Sequence, residues 1–288
     1  MPNKNAFVYA VTGNAHIQQV NRSLRFLKQF SRQEIVVVAS RSDLQIEHDQ
    51  VILVDFPAEL DNHQASILLE TGLHRRLDLR GRTWCYLDSD IFAVHEDVQR
   101  IFELKHGVVA FAADHSRLSN FSRFAVRCAC TGGCCEHLRE AIESKFGIVV
   151  PDAEWQHWNG GVFVFDAASV PFLETWHEYT RAILGDPYWK TRDQGTLIAT
   201  VWKFGLQDQI TLPRKYNYIV DGMRGLNDDE RAAANPFTFR VDESYSLSEG
   251  DPSHPFLLHF IGNAGQPGWR NWDEAEARLK ASRQSSNH

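Results

Sequence analysis

As far as Ala113, apolar positions follow two alternating rhythms. Short, nearly unbroken runs rich in Val, Ile and aromatic residues read as β-strands: FVYAVT (7–12), EIVVVAS (34–40), VILVDF (51–56), TWCYL (83–87) and VVAFAA (108–113). Between them, HIQQVNRSLRFLKQF places Ile17, Val20, Leu24, Leu27 and Phe30 on one face of a helix. Asn62 is placed to cap a second helix, with Ile67, Leu68 and Leu77 toward the core. Continuous apolar strands separated by amphipathic helices predict an α/β fold whose mostly parallel sheet is covered on both faces. Ligands of such sheets bind beyond the carboxyl ends of the strands. Thr12, Asn14, Asp88 and Asp90 stand at such ends.

From about 115 to 157 the rhythm weakens, apart from a helical piece, EHLREAIESKF (136–146), and the segment reads as an insertion or lid. Order returns with the strand GGVFVFD (160–166). A helix over about 169–184 follows, with Pro171 in its first turn, where a missing N–H costs little. A further helix starts near Asp193, with Leu197, Ile198, Val201 and Phe204 as its apolar face. ITLPRKYNYIV (210–220) reads as extended and residues 221–254 as loops. FLLHFIG (256–262) is a strand, and a helix over about 272–282 closes the chain. No repeat or linker interrupts this order, which predicts a single domain over 1–288.

Composition narrows the function classes. The chain has 288 residues, 43% hydrophobic and 23% charged, as expected of a globular protein. Its formal net charge of −7 and lack of a basic block weigh against nucleic acid or anionic membranes as partners. No apolar run approaches the roughly 20 residues that a membrane span needs. The start, MPNKNAFVYAVTG, passes straight into a strand, so the expectation is no signal peptide and a cytoplasmic location. Five cysteines then suggest reduced thiols. Four of them crowd into CACTGGCC as Cys128, Cys130, Cys134 and Cys135. That spacing fits paired C-x2-C zinc ligands poorly. A loop of free thiols is the simpler reading, and a structural metal or redox role the alternative.

The chemistry gathers at strand ends. In YLDSDIFAV (86–94), Asp88 and Asp90 can both reach one hard divalent cation, which bridges diphosphate oxygens and neutralises a leaving group. The pair also suits a turn cap, or a phosphohydrolase of the haloacid dehalogenase type with Asp88 as nucleophile and Asp90 as general acid. In WNGGVFVFD, Asn159 offers donor and acceptor beside Gly160 and Gly161, which admit a ligand close to the backbone. Trp155 and Trp158 flank that string, either as core or as a stacking surface for a sugar. RDQGTLIA places Asp193 and Gln194 at a helix start, where Asp193 is either a cap or a site residue. HFIGNAGQPGW sets His259 at a strand end before a glycine-rich turn with Gly262.

In order along the chain, VTGNAH, DSD, NGG, DQ, LPRKYN and HFIG resemble the motifs of the retaining glycosyltransferases that include glycogenin and bacterial lipopolysaccharide galactosyltransferases. The resemblance spans about residues 6–270. It implies a GT-A nucleotide-diphospho-sugar transferase fold, a UDP-sugar or GDP-sugar donor, a hydroxyl-bearing acceptor such as a carbohydrate, and Mn2+ or Mg2+. It further implies that Asp88, Asp90 and His259 bind the metal and that Thr12 and Asn14 line the base and ribose pocket. Ser89, Gly160, Gly161 and Gly262 would lie along the donor. Asn159 and Asp193 would hold hydroxyls of the donor sugar, with Gln194 near the anomeric carbon. The acceptor would be chosen by the 115–157 segment. The chain departs from this family in three places, two of them missing lysines. Gly265 and Gln266 precede Pro267 where the family has a lysine, and no lysine stands near Thr71, Gly72 and Leu73 before the D-x-D string. Arg75, Arg76 and Arg270 are candidate substitutes. A non-catalytic, nucleotide-sugar-binding relative is the reading those gaps leave open. His16 and Ile17 occupy the place of the family's base-stacking tyrosine.

Overall fold

A computed structural model describes residues 4–40, 45–105, 107–130, 135–190, 193–219 and 255–260, together with Ala277. Gly262, the loops expected over 221–254, Arg270 and all but Ala277 of the final helix lie outside the described residues.

The early strands form as their runs predict: β1 (Lys4–Val11), β2 (Glu34–Ser40), β3 (Val51–Val54) and β4 (Arg82–Leu87). They pair in parallel, β3 on β2, β2 on β1 and β1 on β4. Next to β4 lies β7 (Gln156–Phe165), antiparallel both to β4 and to β6 (Ala110–Arg117). The sheet order is therefore β3-β2-β1-β4-β7-β6. Successive side chains of a strand point to opposite faces, and here both faces are buried. Phe7, Tyr9, Ile35, Val37, Cys85 and Leu87 pack with Ile17, Val20, Leu24 and Leu27 of α1 (Asn14–Phe30). The intervening Ala6, Val8, Val36, Val38, Trp84 and Tyr86 belong to the opposite core. That core takes Leu69 of α2 (Asn62–Thr71), Phe172 and Trp176 of α5 (Val170–Ile183), and Leu197 and Val201 of α6 (Asp193–Lys203).

Between β6 and β7 the chain forms α3 (Leu118–Ala125) and α4 (His137–Phe146). The 115–157 segment is thus better ordered than its weak rhythm suggests. Leu118, Val126, Leu138 and Ile142 close a third core against Ile183 and Ile198. A second, small sheet joins β5 (Ile91–Ala93), β9 (Leu257–His259) and β8 (Tyr218–Ile219) in the order β5-β9-β8.

Four expectations change in detail. Asp61 caps α2, not Asn62: its carboxylate accepts from Gln64 N–H at 2.8 Å, and the Gln64 side chain returns to the Asp61 N–H. Leu77 is buried, but beyond the end of that helix. The strand expected from Gly160 already begins at Gln156. The extended reading of 210–220 is broken by a 3-10 turn over Arg214–Tyr216. Among the described residues no helix is long and apolar enough to cross a membrane.

Candidate active site

The D-x-D string leaves β4 in a tight turn, in which Ile91 N–H donates to the Asp88 carbonyl at 3.1 Å. Asp88 N–H in turn donates to the Gly161 carbonyl at 2.9 Å, which ties the string to β7. β5 then pairs antiparallel with β9 so that Ile91 lies opposite His259. Phe260 N–H donates to the Asp90 carbonyl at 3.1 Å. The register of the small sheet thus delivers His259 to carboxylates about 170 positions away in sequence. His259 Nε2 lies 3.5 Å from Asp90 Oδ1 and 4.0 Å from Asp88 Oδ2. One ligand atom from each of the three falls within 4.8 Å of the others. Two carboxylate oxygens and an imidazole nitrogen facing one point fit a divalent cation of the Mn2+ or Mg2+ kind.

A relay of amides orients that imidazole. Ser116 N–H and Oγ–H both donate to Asp114 Oδ1, and Asn159 Nδ2–H donates to Asp114 Oδ2 at 2.8 Å. A carboxylate that accepts these bonds obliges Asn159 to turn its oxygen the other way. That oxygen accepts from Asn217 Nδ2–H at 2.8 Å and from Gly161 N–H at 2.9 Å. Asn217 consequently presents its own oxygen to His259 Nδ1 at 2.9 Å. Nδ1–H thus donates to Asn217, and Nε2 is the ring nitrogen that faces Asp88 and Asp90. Such outer partners fix the tautomer and ring orientation of metal-binding histidines.

The glycine pair has a packing cause. Neither glycine has a positive φ. A Cβ on Gly161 would meet His259 Cε1 at 2.6 Å and Asp88 Oδ2 at 3.0 Å. One on Gly160 would meet Asp193 Oδ2 at 2.9 Å. The β6–β7 register slips here, because Phe111 pairs with Phe163 while Ala112 pairs with Asn159. The Gly160 N–H goes to Gln194 Oε1 at 3.0 Å. Gln194 Nε2–H donates to the Trp158 carbonyl and also lies 3.0 Å from His157 Nδ1, so both ends of the amide are held. Asp193 opens α6, and its carbonyl accepts from Trp176 Nε1–H at 3.1 Å.

A cavity of about 870 Å3 brings these groups together. Asp88, Ser89, Asp90, Asn159, Gly160, Gly161, Asp193, Gln194 and His259 all line it. Ser89 Oγ–H donates to Gln19 Oε1 at 3.1 Å. Thr12 and Asn14 do not line it. Thr12 is buried and donates its hydroxyl to the Asn62 carbonyl at 2.5 Å, and Asn14 is exposed at the start of α1. Their places are taken by His16 and Gln19, further along α1. Trp158 is core, stacked on Phe111 at 5.4 Å, and Trp155 packs edge-on against Trp202. Arg75 is committed to Glu174 and Glu178 on α5. Arg76 is exposed away from the cavity.

Sequence reasoning missed Asp114, Asn217, Glu70 and the residues of α3. Asp114 ends an apolar run just as Asp88 does, which was a usable signal. Asn217 lies within LPRKYN without an evident role. Glu70 stands where the lysine before D-x-D is absent, on the inner face of α2, and lines the cavity. From α3, Asn120, Phe121, Arg123 and Phe124 form the opposite wall. The electrostatics are strongly acidic. Burial, then the Asp90 charge, and more weakly the Asp193 charge, push the Asp88 carboxyl up to about 8 even though Tyr86 donates to it at 2.6 Å. Burial, then Asp193 and Asp88, raise Glu70 well above the usual carboxylate range. A bound divalent cation would relieve this crowding of negative charge.

The sequence signature of glycosyl transferase family 8 matches residues 80–273. A search of curated protein sequences finds no match. Among solved structures, the galactosyltransferase LgtC, in complex with donor and acceptor sugar analogues, is similar with a TM-score of 0.53 at 12% identity, over 97% of this chain and 95% of that one. Mouse xyloside xylosyltransferase 1 is similar with a TM-score of 0.51 at 13% identity, over 91% of this chain and 99% of that one. The apo glycosyltransferase GlyE of Streptococcus pneumoniae TIGR4 gives 0.51 at 16% identity, over 98% of this chain. The chain spans 63% of the length of GlyE. At these identities the likeness shows the fold, which is that of GT-A glycosyltransferases.

Proposed function

The chain belongs to glycosyl transferase family 8, and from that premise we propose that it moves a hexose from a nucleotide sugar to a hydroxyl acceptor with retention of configuration. A UDP-sugar is the default donor and a GDP-sugar its rival. The observation that carries the reading is the convergence of Asp88, Asp90 and His259 on one point in the wall of an acidic cavity. Those three residues would hold Mn2+ (or Mg2+), which neutralises charge on the donor diphosphate when bound.

The protein's part is positioning. Ser89, Gly160 and Gly161 line the donor, and the missing Cβ atoms let His259, Asp88 and Asp193 pack beside it. Asn159 has one Nδ2 hydrogen left for a hydroxyl of the donor sugar, since its other bonds go to Asp114, Asn217 and Gly161. The Asp193 carboxylate accepts from another. Gln194, fixed at both ends, forms a rigid wall beside the anomeric carbon. The proposed route uses no protein base: the acceptor hydroxyl passes its proton to the departing phosphate oxygen as the glycosyl bond changes partners. On the far wall, Phe124 is 42% exposed and suits the apolar face of an acceptor sugar. Arg123 packs over the same ring and, among the described residues, is the one lysine or arginine that lines the cavity.

The phosphohydrolase reading of Asp88 and Asp90 is not carried forward, because the family match takes in DSD, NGG, DQ and HFIG together. The test is thermal stabilisation by UDP or GDP. At a hundredfold excess over Kd, a nucleotide that binds only the folded chain adds about 2.7 kcal/mol. The melting temperature should therefore rise with Mn2+ present and stay flat without it or in Asp90→Asn. No shift by either nucleotide in the presence of Mn2+ would defeat the reading.

A further inference from the structure

The structure gathers a second set of metal-ligating groups, well apart in chemistry from the acidic cavity. Cys128 and Cys130 follow the end of α3, and Cys135 and His137 open α4. Cys128 Sγ lies 3.6 Å from Cys135 Sγ. His137 Nδ1 lies 3.4 Å from Cys135 Sγ and 3.6 Å from Cys130 Sγ. All four ligand atoms fall within 4.8 Å of one another. We propose that Cys128, Cys130, Cys135 and His137 form a structural Zn2+ site that locks the start of α4 to the end of α3.

These three separations lie within about 0.2 Å of the edges of a zinc tetrahedron. With Zn–S of about 2.3 Å and Zn–N of about 2.1 Å, its edges are roughly 3.8 Å between sulfurs and roughly 3.6 Å between sulfur and nitrogen. Three thiolates and an imidazole form a closed set, with no position left for water or substrate, as in structural zinc centres. Soft sulfur ligands select Zn2+ over the Mn2+ or Mg2+ suited to the carboxylate site. A disulfide would need sulfurs about 2.05 Å apart, and these cysteines are free.

The frame that carries the ligands is fixed from two directions. On one side Arg127 N–H donates to the Tyr188 carbonyl and Lys190 N–H to the Ala125 carbonyl, each at 2.9 Å, which pins the chain entering Cys128. On the other, Ser122 Oγ of α3 accepts from Leu138 N–H at 2.9 Å and lies 3.1 Å from Cys135 Sγ. Glu136 itself makes no capping bond to α4, and the Leu138 N–H is met from α3 by Ser122 instead. A metal bond to His137, the first residue of the helix, adds a second tie to the same end. Only Cys135 is buried, so apolar packing does not account for the other thiols. Two C-x-C-like pairs with a histidine in the last place escape a search for C-x2-C pairs, and for this reason the cysteine run reads as a loop of free thiols.

Zn2+ displaces the thiol protons as it binds, so the site fills in reduced protein at neutral pH. The test is the metal content of the full chain, purified under reducing conditions and desalted. We expect one zinc per chain, released by a mercurial thiol reagent and read by a zinc-sensitive dye. The Asp88→Asn/Asp90→Asn double variant should keep that zinc, whereas Cys130→Ser and His137→Gln should lose it and melt at lower temperature. Should those variants fail to fold, the natural chain stripped of metal and given Co2+ should show thiolate-to-cobalt charge transfer and the intense visible bands of tetrahedral cobalt. Reduced protein with neither zinc nor that cobalt spectrum overturns the proposal. So does zinc lost only from the aspartate variant, or a mass lower by two hydrogens that maps to a Cys128–Cys135 disulfide.

Discussion

Gly160 and Gly161 occupy the middle of β7, where glycine weakens a strand. Their absent side chains are the space in which His259, Asp88 and Asp193 sit, so the cost in strand stability is tied to the site. Asn217 is the least conspicuous member of the same arrangement. It reads the orientation of Asn159, set by Asp114, and passes it to the imidazole. Replacing it with leucine, Asn217→Leu, keeps the volume near constant but leaves His259 Nδ1–H without its acceptor. Partners of this kind typically contribute 10- to 100-fold in metal affinity. Mn2+ binding, followed by electron paramagnetic resonance of the free ion, should therefore weaken by roughly that factor while the circular dichroism spectrum is kept. Unchanged Mn2+ affinity would mean that the relay does not orient the ligand.

At the scale of elements, the site rests on contacts between pieces far apart in sequence. The β5–β9 register carries His259 to the D-x-D turn. The packing of α2 on α5 holds Glu70 at the cavity wall. In that packing His177 of α5 is buried with its Nδ1 2.9 Å from Thr71 Oγ1, beside Glu70. Burial, with help from Arg75 and His74, holds its pKa down to about 4 from an ordinary 6.5. Between those two values the unfolded chain binds a proton that the folded chain refuses. Stability contributed by neutral His177 is thus present above pH 6.5 and is lost as pH falls toward about 4. Urea unfolding at pH 7 and pH 5 should show this loss, and His177→Gln should reduce it. An unaltered pH dependence in that variant would place the acid sensitivity elsewhere.

Across the whole molecule, strands and helices of the first half were legible because unbroken apolar runs and a 3.6-residue rhythm are local properties. The direction of β7 was not, since periodicity carries no information about which way a strand runs. The 115–157 segment hid its order because its core positions, such as Leu118, Val126 and Leu138, are scattered among cysteines and charges. The same division holds in the cavity. Asp88, Asp90, Asn159, Asp193, Gln194 and His259 could be named in advance because they stand in recognisable strings at element ends. Asp114, Glu70 and Asn217 gain their roles only from partners that the fold brings close. Thr12 also ends a strand, but its hydroxyl turns inward to the Asn62 carbonyl and it does not line the cavity. The proposed function requires that this acidic cavity turn over nucleotide sugars with a metal. It is tested most directly by incubating the purified chain with a panel of UDP- and GDP-sugars and measuring release of the nucleoside diphosphate. Release is expected from at least one donor with Mn2+, lost on chelation and reduced about a hundredfold or more, roughly 2.7 kcal/mol in barrier, in Asp88→Asn. Nucleotide binding without release from any donor, with or without carbohydrate acceptors, would contradict it and make the chain a binding protein.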